Sequence, residues 1–591
     1  MIVKMKRFTF IGPSWEKDRF IHRLQDLGVT HIALPAEAIE PAQVSKELQR
    51  VSEIRKFLAR LAAKGPESGS SGDYSKICSR KEELEQREPE LLNQLNILNK
   101  EQALLEPWGD FVPEDINFLR SRGLNIGFYR MTNRAFERLQ SEDLFCHITR
   151  RTERYTNFVA ISAKPMDLNM PEERLPAKSL SMIDREIKEC MKELSGIKKE
   201  YKELADKVSI LTEAEMTLKD DYEYRKVLLN TESALDDKVF ILTCWSPVPE
   251  DELIKGIGEE FAFGHFSEDP EPEDKVPILI SNKPVFDSGE DLVRIYSYPS
   301  YRDFDPSGIV LYAFAALYGL IIGDAGYGLV YMAITGLLHW KVKSRSHLWI
   351  RFRRLSYILA CSVIFWGVIT GSYFGISLDP DNPLNKFMLI NMVTKEGQNK
   401  AMLFSIILGM IHLSIALSIR FYRTRNLASV GWIAVMWSGY ALIYSKKILG
   451  VDNPLATYIF IAGLIVVVLF ISDSRNPITR IGLGLYEGGF GLAQLFSDIL
   501  SYMRVFALGL ATMYICMTFN MLAVMPYKAL SYIGLIPAVL ILIFGHGINL
   551  ALGIMGGVVH GLRLNFLEWY RWCFEGDGFA FKPFKRNIVK A

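Results

Sequence analysis

Long apolar segments in the second half of the chain constrain its fold more than any other feature of the sequence. Eight of them, separated by short charged breaks, lie near residues 308–323, 325–340, 355–376, 401–419, 428–445, 455–472, 490–520 and 532–570. Most are long enough to cross a hydrocarbon core about 30 Å thick as a helix. Residues 1–300 are rich in charged side chains instead. The sequence therefore predicts a transmembrane domain at 306–570 that follows a polar N-terminal arm.

The charges in the breaks predict the side of the membrane that each break occupies. The break at 341–354, KVKSRSHLWIRFRR, carries six Lys or Arg residues, which favours the cytoplasmic side. The N-terminal stretch has no apolar core of the kind found in signal peptides, so we expect the arm to be cytoplasmic as well. An even number of crossings then separates the arm from this break. The first two apolar segments are therefore predicted to be two short spans rather than one long bent helix.

Eight crossings make the remaining breaks alternate and return the tail, 571–591, to the cytoplasm. Lys446 and Lys447 are the exception to the positive-inside pattern, because this topology places them on the far side. The last two segments, of about 31 and 39 residues, are longer than a vertical span requires. We expect both of these helices to be tilted.

Heptad spacing predicts a coiled coil in the arm. Leu84, Leu91, Leu98 and Leu105 recur every seven residues, and a second seam alternates spacings of four and three. The second seam comprises Ile183, Ile187, Cys190, Leu194, Ile197, Tyr201, Leu204, Val208 and Leu211. We predict an antiparallel coiled coil of residues 74–106 and 180–220. The alternative is two unrelated amphipathic helices in one globule.

Strand-like and helical pieces flank the predicted coiled coil. Residues 108–176 predict a distal lobe at its tip, and residues 1–60 with 239–300 predict a proximal lobe near the membrane. The chain is thus predicted to be an α-helical membrane protein with eight transmembrane helices, the last two long and tilted. Its N-terminal cytoplasmic arm is predicted to hold two α/β lobes joined by the antiparallel coiled coil.

Composition excludes several classes of function. The formal net charge of +1 gives no basic signature of nucleic-acid binding. The seven cysteines show neither CxxC nor Cys/His spacing, which argues against a zinc site or a disulfide framework. The chain has no G-x-x-x-x-G-K-[ST] loop for a nucleotide phosphate. We expect no bound cofactor.

Arg504 lies in the middle of the seventh apolar segment. An arginine at the centre of a membrane helix costs about 2.5–3.5 kcal/mol on insertion scales, so it usually faces a partner or water. Ser497, Ser501 and Thr512 lie at helical offsets that place them near the same face. Serine and threonine alone are typical of a helix-packing seam, whereas the buried charge indicates function.

The eighth segment carries a matching stripe. Its polar and small residues recur at spacings of three and four: His546, Asn549, Gly553, Gly556, His560 and Arg563. The acidic candidates for an ion pair are Asp324, Glu487, Asp498 and Glu568. Asp498 lies six residues before Arg504, which is outside the i+3 or i+4 spacing of a helical ion pair. The counter-ion of Arg504 is therefore expected on another span or on another protein.

Several motifs resemble subunit I of V-type and A-type rotary ATPases, the archaeal and bacterial counterpart of eukaryotic V-ATPase subunit a. SYMRVFALGLA is similar to that family's SYLRLFALGLA-type signature. Further similar stretches follow in family order between about residues 239 and 584: TCWSPVP, VPILISNKPVF, YGLIIGDAGYGLVY and HGLRLNFLEWYRWCFEGDGFAFKPF. The N-terminal half matches the family's two-lobed arm through weaker motifs.

The resemblance implies a stator subunit without an active site of its own, in the plasma membrane of a prokaryote. Its partners would be the lipid bilayer, a ring of proteolipid c/K-type subunits, peripheral-stalk E/G-type subunits and a central-stalk C/d-type subunit. Ions would reach the ring carboxylates through two offset half-channels. Arg504 would meet each carboxylate, favour its ionised form and separate the channels, and Arg563 and His560 would line the same path. Further candidates for ion translocation are Ser501, Glu487, Asp498 and Glu568.

Two positions depart from the family's eukaryotic branch. Gly553 and Thr512 stand where that branch carries a glutamate and a histidine. The half-channel residues of that branch therefore cannot all be assigned to positions of this chain. One alternative function is a secondary transporter or channel that binds an anionic substrate at Arg504. A second alternative is a membrane scaffold whose arginines are structural.

Overall fold

The computed structural model describes residues 1–35, 37–62, 72–139, 144–165, 170–344, 346–376, 382–472 and 474–587. The glycine- and serine-rich stretch GPESGSSGD at 65–73 lies mostly outside these residues, as does part of the stretch SLDPDNPLNK at 377–386, which the eight-span topology places on the far side of the membrane. The described chain forms two compact units. One comprises residues 1–8, 244–250 and 266–583, and the other comprises residues 9–243, 251–265 and 584–591.

Helices dominate both units. The helices of the first 300 residues are α1 (Lys17–Leu27), α2 (Ala42–Ala59), α3 (Tyr74–Leu105), α4 (Pro113–Ser121), α5 (Asn133–Phe136), α6 (Leu180–Ala205), α7 (Val208–Asn230), α8 (Glu250–Ile257) and α9 (Asp287–Tyr296). Those that follow are α10 (Ser307–Ile322), α11 (Ala325–Lys341), α12 (His347–Thr370), α13 (Lys395–Thr424), α14 (Ala428–Tyr444), α15 (Pro454–Phe470), α16 (Pro477–Ser501), α17 (Met503–Leu530), α18 (Leu535–Arg563) and α19 (Tyr570–Cys573).

The strands in the described part of the chain form three sheets. They are β1 (Lys6–Pro13), β2 (His31–Ile32), β3 (Asn125–Thr132), β4 (Phe145–Arg151), β5 (Tyr155–Ser162), β6 (Glu232–Ala234), β7 (Val239–Ser246), β8 (Gly264–Glu268), β9 (Pro277–Ile278) and β10 (Phe579–Ala580). The largest sheet has the order β2–β7–β1–β8, with β6 antiparallel to β7. An antiparallel sheet has the order β3–β5–β4, and β9 pairs with β10 in parallel.

α3 and α6 pack against each other over much of their length. Leu84, Leu91, Leu98 and Leu105 are all buried, as heptad spacing indicates for a seam. Polar pairs give the direction: Arg80 contacts Glu200 at 2.8 Å and Arg87 contacts Glu193 at 3.3 Å, so the helices run antiparallel. These exposed ion pairs contribute little stability, which leaves the apolar seam to hold the helices together.

The second coiled-coil segment is not one helix. We predicted a coiled-coil segment over residues 180–220, and two helices form this stretch, since α6 ends at Ala205 and α7 begins at Val208. The seam continues across the interruption, since Val208 and Leu211 are buried in the same apolar cluster as Ile187.

Each of the eight predicted apolar segments contains a helix. Among the described residues, four helical runs are long and apolar enough to cross a membrane, judged by length and composition: His347–Thr370, Lys395–Thr424, Pro477–Ala529 and Tyr532–Cys573. Ser307–Ile322 and Pro454–Phe470 are shorter apolar helices. The chain is therefore a multi-pass membrane protein, and the number of eight crossings and the tilt of the last two helices stay predictions.

The first two apolar segments form separate helices. α10 ends at Gly323, which has the left-handed conformation (φ 53°) that glycine adopts at helix ends. The Asp324 side chain then accepts a hydrogen bond from the Tyr327 N–H and caps α11. A glycine C-cap followed directly by an aspartate N-cap explains why the apolar stretch does not continue as one bent helix.

α10 lies in the core of the membrane unit. Its buried side chains include Phe314 and Tyr318, and it packs against α12, α17 and α18. The close approach to α18 depends on Gly557, because a Cβ atom at that position would lie 2.6 Å from the Tyr318 ring. α18 can therefore pack this closely on α10 only because Gly557 has no side chain.

The seventh segment is longer than predicted and is interrupted. The helical run covers Pro477–Ala529, 53 residues, rather than 490–520, and it breaks locally between α16 and α17 at Tyr502. The Tyr502 ring is fully buried, and its hydroxyl bonds to His412 Nδ1 of α13 at 2.8 Å. Ser497 and Ser501 thus precede the interruption and Arg504 follows it, so they do not share one regular helix.

Candidate functional site

Arg504 lies at the start of α17, two residues after the interruption. Its side chain is half-buried, and its Nη1 atom is buried without a hydrogen-bond partner. In the part of the chain that the structure describes, no carboxylate oxygen lies within 4.0 Å of this guanidinium group. Its electrostatic neighbours are Arg563, which repels it, and Glu568, which attracts it.

The two arginines of the seventh and eighth segments share one site with three other predicted residues. Arg563 Nε lies 3.8 Å from Glu568 Oε1, and Glu568 is 4 % exposed. His560 is an electrostatic neighbour of both arginines, and Ser501 is a neighbour of the Glu568 carboxyl group. We call Arg504, Arg563, His560, Glu568 and Ser501 the arginine cluster.

α18 and the π-helical turn after it carry three members of this cluster, and a change in helical pitch positions one of them. His560 and Arg563 form the last turn of α18, and a π-helix follows over Leu564–Trp569. Wider π-turns alter the face on which later side chains emerge, and they are common at functional sites. Glu568 consequently reaches back towards Arg563 from a buried position, five residues further along the chain.

The cluster contains unpaired buried polar atoms. Arg504 Nη1, His560 Nδ1 and Glu568 Oε2 are all buried without a hydrogen-bond partner. Such atoms cost about 1–3 kcal/mol each, more when charged, so most buried polar groups are satisfied. Two guanidinium groups also face a single carboxylate here. The geometry therefore suits an additional anionic group that would approach Arg504.

Asp498 does not join the arginine cluster. It is 3 % exposed and accepts hydrogen bonds from Gln494 Nε2 at 2.8 Å, Trp572 Nε1 at 2.8 Å and Arg571 Nη1 at 3.2 Å. This network connects α16 to α19. Its partners are those of a structural anchor, and its predicted part in ion translocation remains a prediction.

The other two acidic candidates lie elsewhere. Glu487 is exposed on α16. Asp324 is buried and fully engaged, since it accepts hydrogen bonds from the Ser372 hydroxyl at 2.7 Å and from the backbone N–H groups of Tyr327, Phe374 and Gly375. These bonds hold the turn after α12 against the start of α11.

A second polar network lies between α11, α17 and α18. Asn549 Nδ2 donates to Thr512 O at 2.9 Å and to the Tyr327 hydroxyl at 3.0 Å. That hydroxyl bonds to His546 Nδ1 at 2.7 Å, and His546 Nε2 bonds to Asn520 Oδ1 at 3.0 Å. We call these five residues the tyrosine–histidine network.

Sequence reasoning missed two of the five residues of this network. It singled out His546, Asn549 and Thr512 by helical spacing but not Tyr327 or Asn520. Tyr327 is the third residue after the capping Asp324, in an apolar helix where a hydroxyl needs a partner. Asn520 is the single amide in the apolar run that follows Arg504 in α17. Both residues could have been found from the sequence, because each places a polar group in an otherwise apolar helix.

The stripe on α18 divides into two faces in the structure. Asn549 and Gly553 are buried against neighbouring helices, whereas a Cβ atom at Gly556 would meet nothing within 4 Å. His560 and Arg563 follow Gly556 at offsets of four and seven on this open side. Gly556, which lies next to the arginine cluster, thus leaves space outside the helix bundle rather than within it.

These features define a multi-pass membrane protein that carries a cluster of charged side chains among its helices. No protein-family model matches the chain. Curated proteins match it over its full length: it is 27% identical to "V-type ATP synthase subunit I" of Chlamydia trachomatis over an alignment of 660 positions, which covers 100% of this chain and 99% of the relative.

Two further relatives have related names. The chain is 26% identical to "V-type ATP synthase subunit I" of Borreliella burgdorferi, with 99% of this chain and 100% of the relative covered. It is 29% identical to "A-type ATP synthase subunit I" of Methanocaldococcus jannaschii, with 70% of this chain and 65% of the relative covered. The similarity to subunit I indicated by the sequence motifs is therefore confirmed.

A solved structure also aligns with the chain. It is described as the cytoplasmic N-terminal domain of subunit I, homolog of subunit a, of V-ATPase. The match covers 44% of this chain and 100% of that chain, with 15% identity and a TM-score of 0.20. At that TM-score it carries no argument about the fold.

Proposed function

We propose that this chain is the membrane stator subunit of a V/A-type rotary ATPase. In this role it forms the ion path beside a rotating ring of c/K-type subunits and couples H⁺ or Na⁺ translocation to ATP hydrolysis or synthesis in the soluble part of the complex. The chain itself catalyses no reaction. Its full-length similarity to curated subunit I proteins supports the assignment of the complex.

The observation that carries the proposal is the unpaired Arg504 guanidinium group. The guanidinium group is half-buried, and its buried Nη1 atom has no hydrogen-bond partner, so the cluster favours a negative partner. Glu568 is near enough to attract Arg504 but pairs with Arg563. A carboxylate carried past Arg504 by another subunit would supply the missing charge and would be stabilised in its ionised form.

Arginine suits this position because it does not practically lose its proton in proteins. It therefore attracts a carboxylate without transferring a proton, and it separates the two sides of the ion path. His560 and Ser501 supply polar atoms next to the same charge. Glu568 limits the net charge of the cluster, so that a carboxylate bound at Arg504 can be released again.

The tyrosine–histidine network is proposed to line the half-channel on the far side of Arg504. It begins at Thr512, eight residues or about 12 Å along α17 from Arg504. It ends where Asn520 Nδ2 donates to Phe374 O at 2.7 Å, in the turn after α12. These groups occupy the region in which the eukaryotic branch carries its glutamate and histidine, and Gly553 and Thr512 supply no titratable group.

The topology follows from the same proposal. With eight crossings both termini are cytoplasmic, and the membrane is the plasma membrane of a prokaryote. The arm is then on the same side as the peripheral stalks, with which the proposed E/G-type contacts would form. The central-stalk C/d-type subunit would occupy the cytoplasmic face of the ring.

The test is to replace Arg504 in the assembled complex. Reconstituted vesicles that carry Arg504→Ala or Arg504→Lys are compared with wild type for ATP-driven ion uptake and for ATP hydrolysis. Arg480→Ala is the matched control, because Arg480 belongs to the same helical run but lies outside the cluster. We expect Arg504→Ala to assemble and to lose pumping, Arg504→Lys to restore it incompletely, and Arg480→Ala to pump normally.

Other outcomes would contradict the proposal. Coupled pumping at the wild-type rate in Arg504→Ala would exclude a role for this guanidinium group in the ion path. Uptake of an anionic solute by the isolated chain would favour the transporter alternative. Loss of assembly in both Arg504 variants, with normal pumping by the residual complexes, would favour the scaffold alternative.

A further inference from the structure

Lys446 and Lys447 depart from the positive-inside pattern, and the structure places Lys447 on the lining of a cavity and Lys446 on the lining of an adjoining recess. They lie in the π-helical turn Ser445–Leu449 that ends α14, and both are exposed. Across the residues that the structure describes, no carboxylate oxygen lies within 4.0 Å of either ammonium group. These two exposed lysines at one end of an apolar helix are therefore available to bind a negatively charged group.

The cavity lies between α13, α14, α15 and α16 and has a volume of about 860 Å³. Its walls are apolar over most of their length, with Met402 and Ile406 from α13, Val435 from α14, Phe460 from α15 and Phe496 from α16. Gly489 of α16 also lines it, and a Cβ atom there would meet nothing within 4 Å. The cavity is therefore large enough for an extended apolar group.

Polar groups are concentrated at one end of the cavity. Tyr440 and Tyr444 stack there with ring centroids 5.9 Å apart, and Lys447 completes the rim. An adjoining recess of about 520 Å³ contains Lys446 with Asn453, Thr457 and Tyr458, and one carboxylate, Asp452. Tyrosine and lysine are the side chains that mark the headgroup level of a bilayer.

We propose that this cavity binds an anionic glycerophospholipid, with one acyl chain between α13, α14, α15 and α16 and the headgroup phosphate at Lys446 and Lys447. The cavity complements the lipid, because its apolar interior suits an acyl chain and its cationic rim suits an anionic headgroup. Basic pockets between membrane helices bind anionic headgroups by this combination of charge and apolar contact. The inference depends on the cavity and its two lysines, and it is independent of the proposed rotary function.

A lipid fits better than a free phosphate ion. The lysines are exposed and hold no buried polar cradle, so a small anion would remain mostly hydrated and weakly bound. An acyl chain packed against the apolar walls adds van der Waals contacts that a free phosphate ion cannot make, and it holds the headgroup beside the lysines. The two lysines then select the headgroup, at about 1 kcal/mol for each basic residue near an anionic surface.

The experiment measures lipids retained by the full-length chain. The purified chain in neutral detergent is incubated with phosphatidylglycerol or with phosphatidylcholine of the same acyl chains, and bound lipid is counted by native mass spectrometry. The test variant is Lys446→Gln with Lys447→Gln. The matched control is Lys395→Gln with Lys400→Gln, which removes the same charge from exposed residues at the start of α13 that do not line the cavity.

We expect wild type and control to retain one phosphatidylglycerol in preference to phosphatidylcholine. The test variant should bind it about 25-fold more weakly, about fivefold for each lysine. Gly489→Phe fills the cavity without changing the lysines and should also lose the lipid, which keeps the proposal testable if the lysine variant misfolds. Equal retention of both lipids by wild type, unchanged retention in either test variant, or full displacement by millimolar inorganic phosphate would overturn the proposal.

Discussion

Substitution of Asp498 is the clearest test of whether an acidic residue has a structural role or takes part in ion translocation. It lies on α16 six residues before Arg504, and all its hydrogen bonds are made to α16 and α19. We expect Asp498→Ala to destabilise the membrane unit without a specific defect in ion pumping. Asp498→Asn should be milder, because an amide keeps one acceptor oxygen for Trp572 or Gln494.

The size of the effect follows from the three bonds. Hydrogen bonds to a charged group are worth about 1.5–3 kcal/mol each, but Arg571 is half-exposed and can exchange its bond for water. The two hydrogen bonds from Gln494 and Trp572 therefore contribute most of the stabilisation. We expect a loss of about 3–5 kcal/mol for Asp498→Ala and about 1 kcal/mol for Asp498→Asn.

The assay compares thermal unfolding of the purified complex, followed by tryptophan fluorescence, with ATP-driven pumping at a temperature at which all variants are folded. Glu487→Gln is the control, since it removes an exposed carboxylate from the same helix and should change stability by no more than about 0.5 kcal/mol. A stable, fully assembled Asp498→Asn complex that cannot pump would refute the reasoning and place Asp498 in the ion path.

Three further predictions concern the cluster, the bundle and the arm. Glu568→Gln should slow ATP-driven pumping about tenfold, because an attraction stronger by about 1.4 kcal/mol delays release of a carboxylate from the arginines, and an unchanged rate would count against this role. Gly557→Ala should destabilise the bundle by about 1–3 kcal/mol and Gly556→Ala should not, as measured by thermal unfolding; equal effects would contradict the packing argument. Leu91→Ala should cost about 2–5 kcal/mol and the neighbouring Leu92→Ala less than 1 kcal/mol, measured by hydrogen exchange of the α3–α6 pair in the full chain.

Periodic features of the structure were predictable, because they depend on side chains a fixed number of residues apart. Leu91 and Leu98 recur every seven residues, and the helix that carries them buries both. The similarity to subunit I rested on motifs spread along the chain. Arg504 was singled out by its cost in an apolar segment, and Arg563 and His560 by their helical spacing on the next segment. The structure brings all three together.

Features that depend on local backbone changes were not predictable in this way. The interruption at Tyr502 and the π-helix at Leu564–Trp569 shift the face of every later side chain, and helical spacing assumes a constant pitch. This is why Ser501 reaches the cluster through Glu568 rather than along the face of Arg504. In the sequence, Asp498 looked equivalent to Glu568. Only the fold reveals that Trp572 and Arg571 donate hydrogen bonds to the Asp498 carboxylate oxygens.

The buried contacts just before Arg504 also bear on mechanical stiffness. Asp498 is fastened to α19, Tyr502 is fastened to α13, and Val505 is 1 % exposed in the core. The backbone that carries the guanidinium group is therefore held to two neighbouring helices within six residues. In the proposed rotary complex, a sideways force from the ring would displace the arginine side chain through its rotamers, while the helix itself would move very little.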